Sequence, residues 1–318
     1  MKFIDLHCDT LMHLDNKNLH TLIKNGRCVD FERMKRGGCV AEFFAIYLPH
    51  PDQIKALGYS GDEAYVEEKF EIYSRDIKAS GNIWGKSAVD IDLAENSGKV
   101  CGFLTLEDGR SVAGSHERLA AFFERGIRLI TLTWNFENCF GFPNSTDRDA
   151  MMRGLTNFGK EAITQMNELG MIIDVSHLSD GGFWDIVKIS KKPFVASHSN
   201  ARTLVPHPRN LTDGMIRAIS NSGGCVGLNF GHQFLNIDKK SLFSKIEDMV
   251  RHVLHIRNIG GVQVLALGSD LDGISSTLEI DSIDKMGLLF DALAAAGLSA
   301  SELEALAYNN ALRVISSQ

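Results

Sequence analysis

The chain has no arginine-rich tract and no basic stripe. Its 33 lysines and arginines are mixed with 40 aspartates and glutamates, for a formal net charge of −7. That leaves no electrostatic footprint for nucleic acid. No uninterrupted apolar run reaches about 18 residues, the length a membrane-spanning helix needs. The start shows no charged n-region, apolar h-region or cleavage site and enters an apolar run at Phe3. The expectation is a cytoplasmic protein without membrane attachment. The six cysteines (Cys8, Cys28, Cys39, Cys101, Cys139, Cys225) fall at no metal or redox spacing. In a reducing compartment such residues are small core fillers. No Gly-x-Gly-x-x-Gly turn follows any apolar run, which argues against a dinucleotide-binding open sheet. Repeats, low-complexity tracts and linkers are also missing, so one domain over residues 1–318 is the simplest division.

What is present is ample apolar material, 44% of 318 residues, enough for a large buried core. Eight apolar runs bounded by turn signals lie at 3–7, 41–48, 100–106, 128–133, 171–175, 193–197, 225–230 and 264–268. They lack clean alternation and read as strands buried on both faces, as in a parallel sheet. Helical patterns fill the gaps at 31–36, 62–79, 115–125, 156–169, 180–190, 212–221 and 242–258. A last helix opens with the capping box Ser299-x-x-Glu302. Eight strands alternating with helices predict a (β/α)8 TIM barrel.

The ends of these runs carry the chemistry. The first gives His7 and Asp9, the third Glu107, the fifth His177, the sixth His198 and the eighth Asp270. In a closed barrel these C-terminal ends share one face, where active sites are built. Three imidazoles and three carboxylates converging there without a cation would repel or stay poorly paired. Two divalent ions about 3.5–4 Å apart remove the conflict. Glu107 has the position of the bridge. The mixed nitrogen and oxygen set favours zinc, with manganese or cobalt as alternatives. If alternation holds along the first strand, His7 and Asp9 share a side and Cys8 points away.

The chain resembles the membrane (renal) dipeptidase family, peptidase family M19, in its bacterial soluble branch. The resemblance runs from Asp5-Leu6-His7-Cys8-Asp9 to Gly268-Ser269-Asp270-Leu271-Asp272-Gly273. Its most specific pieces are Leu169 through His177 and Ser197-His198-Ser199 followed by Pro208-Arg209-Asn210. The resemblance implies a zinc-dependent dipeptidase. His7 and Asp9 would bind the first zinc and His177 and His198 the second, with Glu107 bridging. Asp270 would sit beside the bridging water and pass its proton to the leaving amine. Arg209 would hold the substrate's terminal carboxylate by a bidentate pair. Homodimers and tolerance of a C-terminal D-residue are also implied. Two positions depart from the family pattern: Trp134, followed by Asn135, stands where a histidine is usual, and Gly231 where a tyrosine is usual. All three become candidate substrate-binding positions, with Asn135 or His232 as replacement donors.

The rival reading is another binuclear barrel hydrolase: a lactonase, phosphoesterase or deaminase. Many of these bridge their metals with a carboxylated lysine, and no lysine ends an apolar run here. A non-catalytic binding barrel would have lost at least one of the six ligands.

Overall fold

The computed structural model describes residues 1–16, 20–238 and 240–318. Eight parallel strands close on themselves: β1 (Phe3–Cys8), β2 (Cys39–Tyr47), β3 (Cys101–Glu107), β4 (Ile127–Thr131), β5 (Ile172–Asp174), β6 (Val195–Ala196), β7 (Cys225–Leu228) and β8 (Leu265–Leu267). Each pairs with the next, and β8 returns to β1 through Leu267 opposite Asp5. This is the expected (β/α)8 barrel, with a strand on every apolar run.

One capping rule starts four of the surrounding helices. The side chains of Ser115, Thr156, Ser179 and Thr212 each accept the backbone N–H three residues on. The expected helix at 242–258 starts later, as Ile246–Gly260. Phe243–Ser244 pairs instead with Thr277–Leu278, and the Glu279 carboxylate accepts from Ile246 N–H at 2.7 Å. That cap comes from across the fold, so no local signal marks it. The reading also passed over helices Ala88–Asn96 and Gly287–Ala295 and the short strand Ile83–Gly85. This strand pairs with Cys101–Phe103, the part of β3 that β4 does not reach.

Every barrel strand contributes to one apolar cluster: Ile4, Phe43, Phe103, Leu129, Ile172, Val195, Cys225 and Ala266 are among its members. A cluster drawing on all eight strands fills the interior. Tyr308, Ala311 and Val314 of the last helical segment pack into it. A larger cluster lies between the barrel and its helices. His7, Asp9, Glu107, His177, His198 and Asp270 lie at the other end of the strands, the C-terminal mouth.

Candidate metal centre and active site

Glu107 is the last residue of β3, and His7 the last but one of β1. Asp9, His177, His198 and Asp270 lie just past the ends of β1, β5, β6 and β8. None of the six is more than 9% exposed, so each must be compensated inside the protein. The pairing of β1 with β2 shifts register between Asp5 and Cys8. Strict alternation is thus broken, yet His7 Nε2 and Asp9 Oδ2 meet at 3.3 Å. Cys8 lies in the apolar cluster outside the barrel.

Glu107 is the hub. Its Oε2 lies 3.5 Å from His7 Nε2. Its Oε1 lies 3.2 Å from His177 Nε2 and 3.5 Å from His198 Nε2. The His7 and His198 rings stack with centroids 3.8 Å apart. Two triads bring ligand atoms within 4.8 Å of one another: His7, Glu107 and His198, and His7, Asp9 and Asp270. The first triad has His7 where the sequence reading grouped His177.

The residues fit divalent metal. His7 Nε2, His198 Nε2 and Asp9 Oδ1 are buried without a hydrogen-bond partner. Atoms bonded at ~2.0–2.2 Å to one ion lie roughly 3–3.6 Å apart, the spacing seen around Glu107. The electrostatics agree. Burial, reinforced by Glu107, pushes the Asp9 carboxyl well above its usual range. Burial also raises Asp270. Burial and Arg209 lower His177 to about 4, and burial with His7 holds His198 well below its ordinary value. Glu107 and His7 resist: burial works against both charges, but His7, His177 and His198 hold Glu107 well below the carboxylate range, and Asp9 and Glu107 hold His7 well above its ordinary value. A divalent cation would take the place of the proton that His7 otherwise holds among these carboxylates.

Supporting contacts fix the donors. Ser197 Oγ is 2.7 Å from His198 Nδ1 and donates to Asp174 at 2.5 Å. Asp174 also accepts from Thr131 at 2.6 Å and from Ser197 N–H at 2.8 Å. Asn229 donates to Asp270 Oδ2 at 2.7 Å and accepts from Gly231 N–H at 2.6 Å. Asp5 accepts from Ser269 through both oxygens, at 2.8 and 2.5 Å. His177 and Asp270 both have left-handed backbones, φ 66° and 60°, a strain typical of functional sites. A Cβ on Gly273 would sit 2.0 Å from Asp9 Oδ2 and 2.5 Å from Asp270 Oδ1, so only glycine fits.

The centre opens into a cavity of about 200 Å³ whose walls include Tyr47, Trp134, Asn135, Gln233 and Phe234. Trp134 packs edge-on against Tyr47 at 4.9 Å. Asn135 Oδ1 is 3.2 Å from His177 Nδ1, so it orients the His177 ring as well as lining the cavity. Arg209 is 7% exposed. It donates to His198 O at 3.0 Å and Ser199 Oγ at 3.2 Å, and its Nε has no partner. Gly231 does not line the cavity: its N–H is bound to Asn229, and a Cβ there would lie 2.8 Å from the Phe234 ring. His232 is turned to Ser276, 2.8 Å away. Sequence reasoning missed Asn229, Asp174, Asp5, Tyr47 and Gln233 as parts of the site. Asp5 was within reach, since it lies two residues before His7.

A (β/α)8 barrel with buried histidines and carboxylates at its mouth has the build of a metal-dependent hydrolase. Residues 1–318 match the membrane dipeptidase family, peptidase family M19, and the chain belongs to it. An uncharacterized Klebsiella pneumoniae protein of the pqqA 5′ region is 39% identical over 72% of this chain and 86% of its own. The crystal structure of dipeptidase AC, an M19 metallopeptidase, superposes with a TM-score of 0.89 at 26% identity, covering 100% of this chain and 98% of that one. A Rhodobacter sphaeroides metallopeptidase, liganded with a phosphinate mimic of the dipeptide L-Ala-D-Ala, gives 0.87 at 26% identity, covering 100% and 99%. The protein is thus a metallodipeptidase, an enzyme that hydrolyses peptide bonds. Among the described residues no helix is long and apolar enough to cross a membrane.

Proposed function

We propose that the chain, acting as one barrel domain over residues 1–318, hydrolyses small dipeptides with two divalent ions held at its mouth. Zinc is the preferred ion, and manganese or cobalt can replace it. His7, Asp9 and Asp270 would hold one ion and His177 and His198 the other, with Glu107 as the ligand shared between them. When bound, the ions supply Lewis acidity and an activated water. The chain's residues do the rest. Asn229 donates to Asp270 Oδ2 and so orients the carboxylate that takes a proton from the attacking water and returns it to the leaving amine. Arg209 has donors to spare, including the unpartnered buried Nε, and receives the terminal carboxylate. Tyr47 and Trp134 wall the reacting centre from solvent.

The observation that carries this reading is the convergence of three imidazole nitrogens on Glu107 at 3.2–3.5 Å, two of them without a hydrogen bond. The L-Ala-D-Ala mimic in the Rhodobacter sphaeroides relative supports substrates with a C-terminal D-residue. A cytoplasmic homodimer completes the proposal, to be checked by cell fractionation and by light scattering. The deciding experiment pairs metal analysis with hydrolysis of L-Ala-D-Ala and L-Ala-L-Ala, using Asp270→Asn as control. Two metals per chain, cleavage, and an inactive but metal-loaded control are expected. Two metals without dipeptide cleavage would move the assignment to a lactonase or phosphoesterase. No metal would end it.

A further inference from the structure

Two further cavities of opposite character border the mouth cavity and share wall residues with it. Gln233 is shared with a lobe of about 420 Å³ lined by Val205, Pro206 and Pro208 on one loop and His232 and Ile237 on another. No aspartate, glutamate, lysine or arginine lines it, and burial keeps His232 below its ordinary pKa, favouring the neutral ring. The other lobe, which shares Met12, Gly273 and Ile274 with the mouth cavity, is lined by Arg27, Asp272 and Asp281.

Arg209 stands on the apolar side. Its backbone N–H donates to His207 Nδ1 at 3.1 Å. The His207 ring packs edge-on against Phe234 at 5.0 Å, and the Arg209 guanidinium carbon lies 5.4 Å from the same Phe234 ring. His207 and Pro208, the two residues before Arg209, both line the apolar lobe. Phe234 and Gln233 face the metal-bearing cavity. The partition between the two spaces is therefore built from the residues around Arg209.

We propose that the apolar lobe receives the side chain of the substrate's C-terminal residue and selects an apolar one. The inference rests on the dipeptidase reading and on Arg209 as the carboxylate holder. In any C-terminal residue the carboxylate and the side chain leave the same Cα. A carboxylate held at Arg209 therefore puts the side chain within a few bonds of Arg209's neighbours, which line this lobe. An aliphatic side chain there leaves water for Val205, Pro206 and Ile237. A carboxylate or ammonium there would lie against Val205, Pro206 and Ile237 with no ion to pair it.

The test uses the metal-loaded enzyme with L-Ala-Gly, L-Ala-L-Leu, L-Ala-D-Leu, L-Ala-L-Asp and L-Ala-D-Asp. At least one leucine isomer should exceed L-Ala-Gly in kcat/KM by about tenfold, the scale of discrimination an apolar pocket gives. Both aspartate isomers should fall below L-Ala-Gly. Ile237 is 67% exposed and Pro206 is also exposed, so Ile237→Glu and Pro206→Glu should fold. Each should erase most of the leucine advantage while leaving L-Ala-Gly within about twofold. Cleavage without a leucine preference, or a preference unmoved in both variants, overturns the inference alone. Failure to cleave any member of the panel overturns the dipeptidase reading and this inference with it.

Discussion

The two ends of the barrel interior are made of opposite materials. At the floor Phe43 stacks on Phe103 with centroids 4.6 Å apart and planes within 9°, and the last helical segment adds Tyr308 and Ala311. At the mouth six ionisable groups are buried around Glu107. The floor asks of its residues only that they be apolar and fit. The mouth asks for specific donors in specific places, because a buried charge without its partner is costly. The barrel thus separates the part that stabilises from the part that reacts.

Substitutions at the two ends should separate those roles. Glu107→Gln strikes the hub of the mouth. It should lower dipeptide turnover by about 10⁴-fold or more and reduce bound metal, as steady-state kinetics and metal analysis would show. Full activity with two metals would remove the bridge from the proposal. At the floor, Phe103→Ala opens a cavity where a stacked ring was and should cost about 3–5 kcal/mol in urea unfolding. Its folded fraction should still bind metal, and metal loss there would mean that the ends are not separable.

Acid should act on the mouth loops. His252 is buried and accepts the Ala201 N–H at Nδ1, 3.1 Å away, and its Nε2 meets the Leu235 carbonyl at 3.2 Å. Burial lowers its pKa to about 4. A histidine depressed in the fold gives stability that is present above its unfolded value and lost as the pH falls. Between about pH 6.5 and 4, this residue should remove on the order of 3 kcal/mol. His252→Gln should flatten that part of the stability profile in the apo protein, and an unchanged slope would assign it to other groups.

Asn229→Ala frees Oδ2 of Asp270 and should reduce kcat by about 10–100-fold with metal retained; an unchanged kcat would show that Asp270 orients itself. The smallest effect belongs to Cys8→Ser. Cys8 sits between two ligands in sequence but in the apolar cluster outside the barrel, so turnover should stay within about twofold. Complete loss of metal would show that Cys8 faces the centre.

Much of this was legible in the chain. All eight apolar runs are strands, and the six residues singled out at their ends converge. Runs buried on both faces and separated by helices form a parallel sheet, open or closed, and a closed barrel must gather their C-terminal ends. The less legible parts depend on contacts far apart in sequence. Asn229 looks like an ordinary residue beyond β7 until it meets Asp270, 41 positions away. The Glu279 cap on Ile246 crosses 33 positions. Gly231 looked like a pocket position because a side chain usually stands there, but its backbone is committed to Asn229.

The sequence by itself determined the strands, the six candidate donors and their order along the chain, because hydrophobic runs and turn residues act locally. Tertiary structure alone decided that Asn229 meets Asp270, that Asn135 meets His177, and that the cavities beside the mouth are apolar near Arg209 and charged beyond Gly273. Those outcomes depend on side chains from separate strands meeting at distances of 2.5–3.5 Å, and no local pattern encodes such meetings.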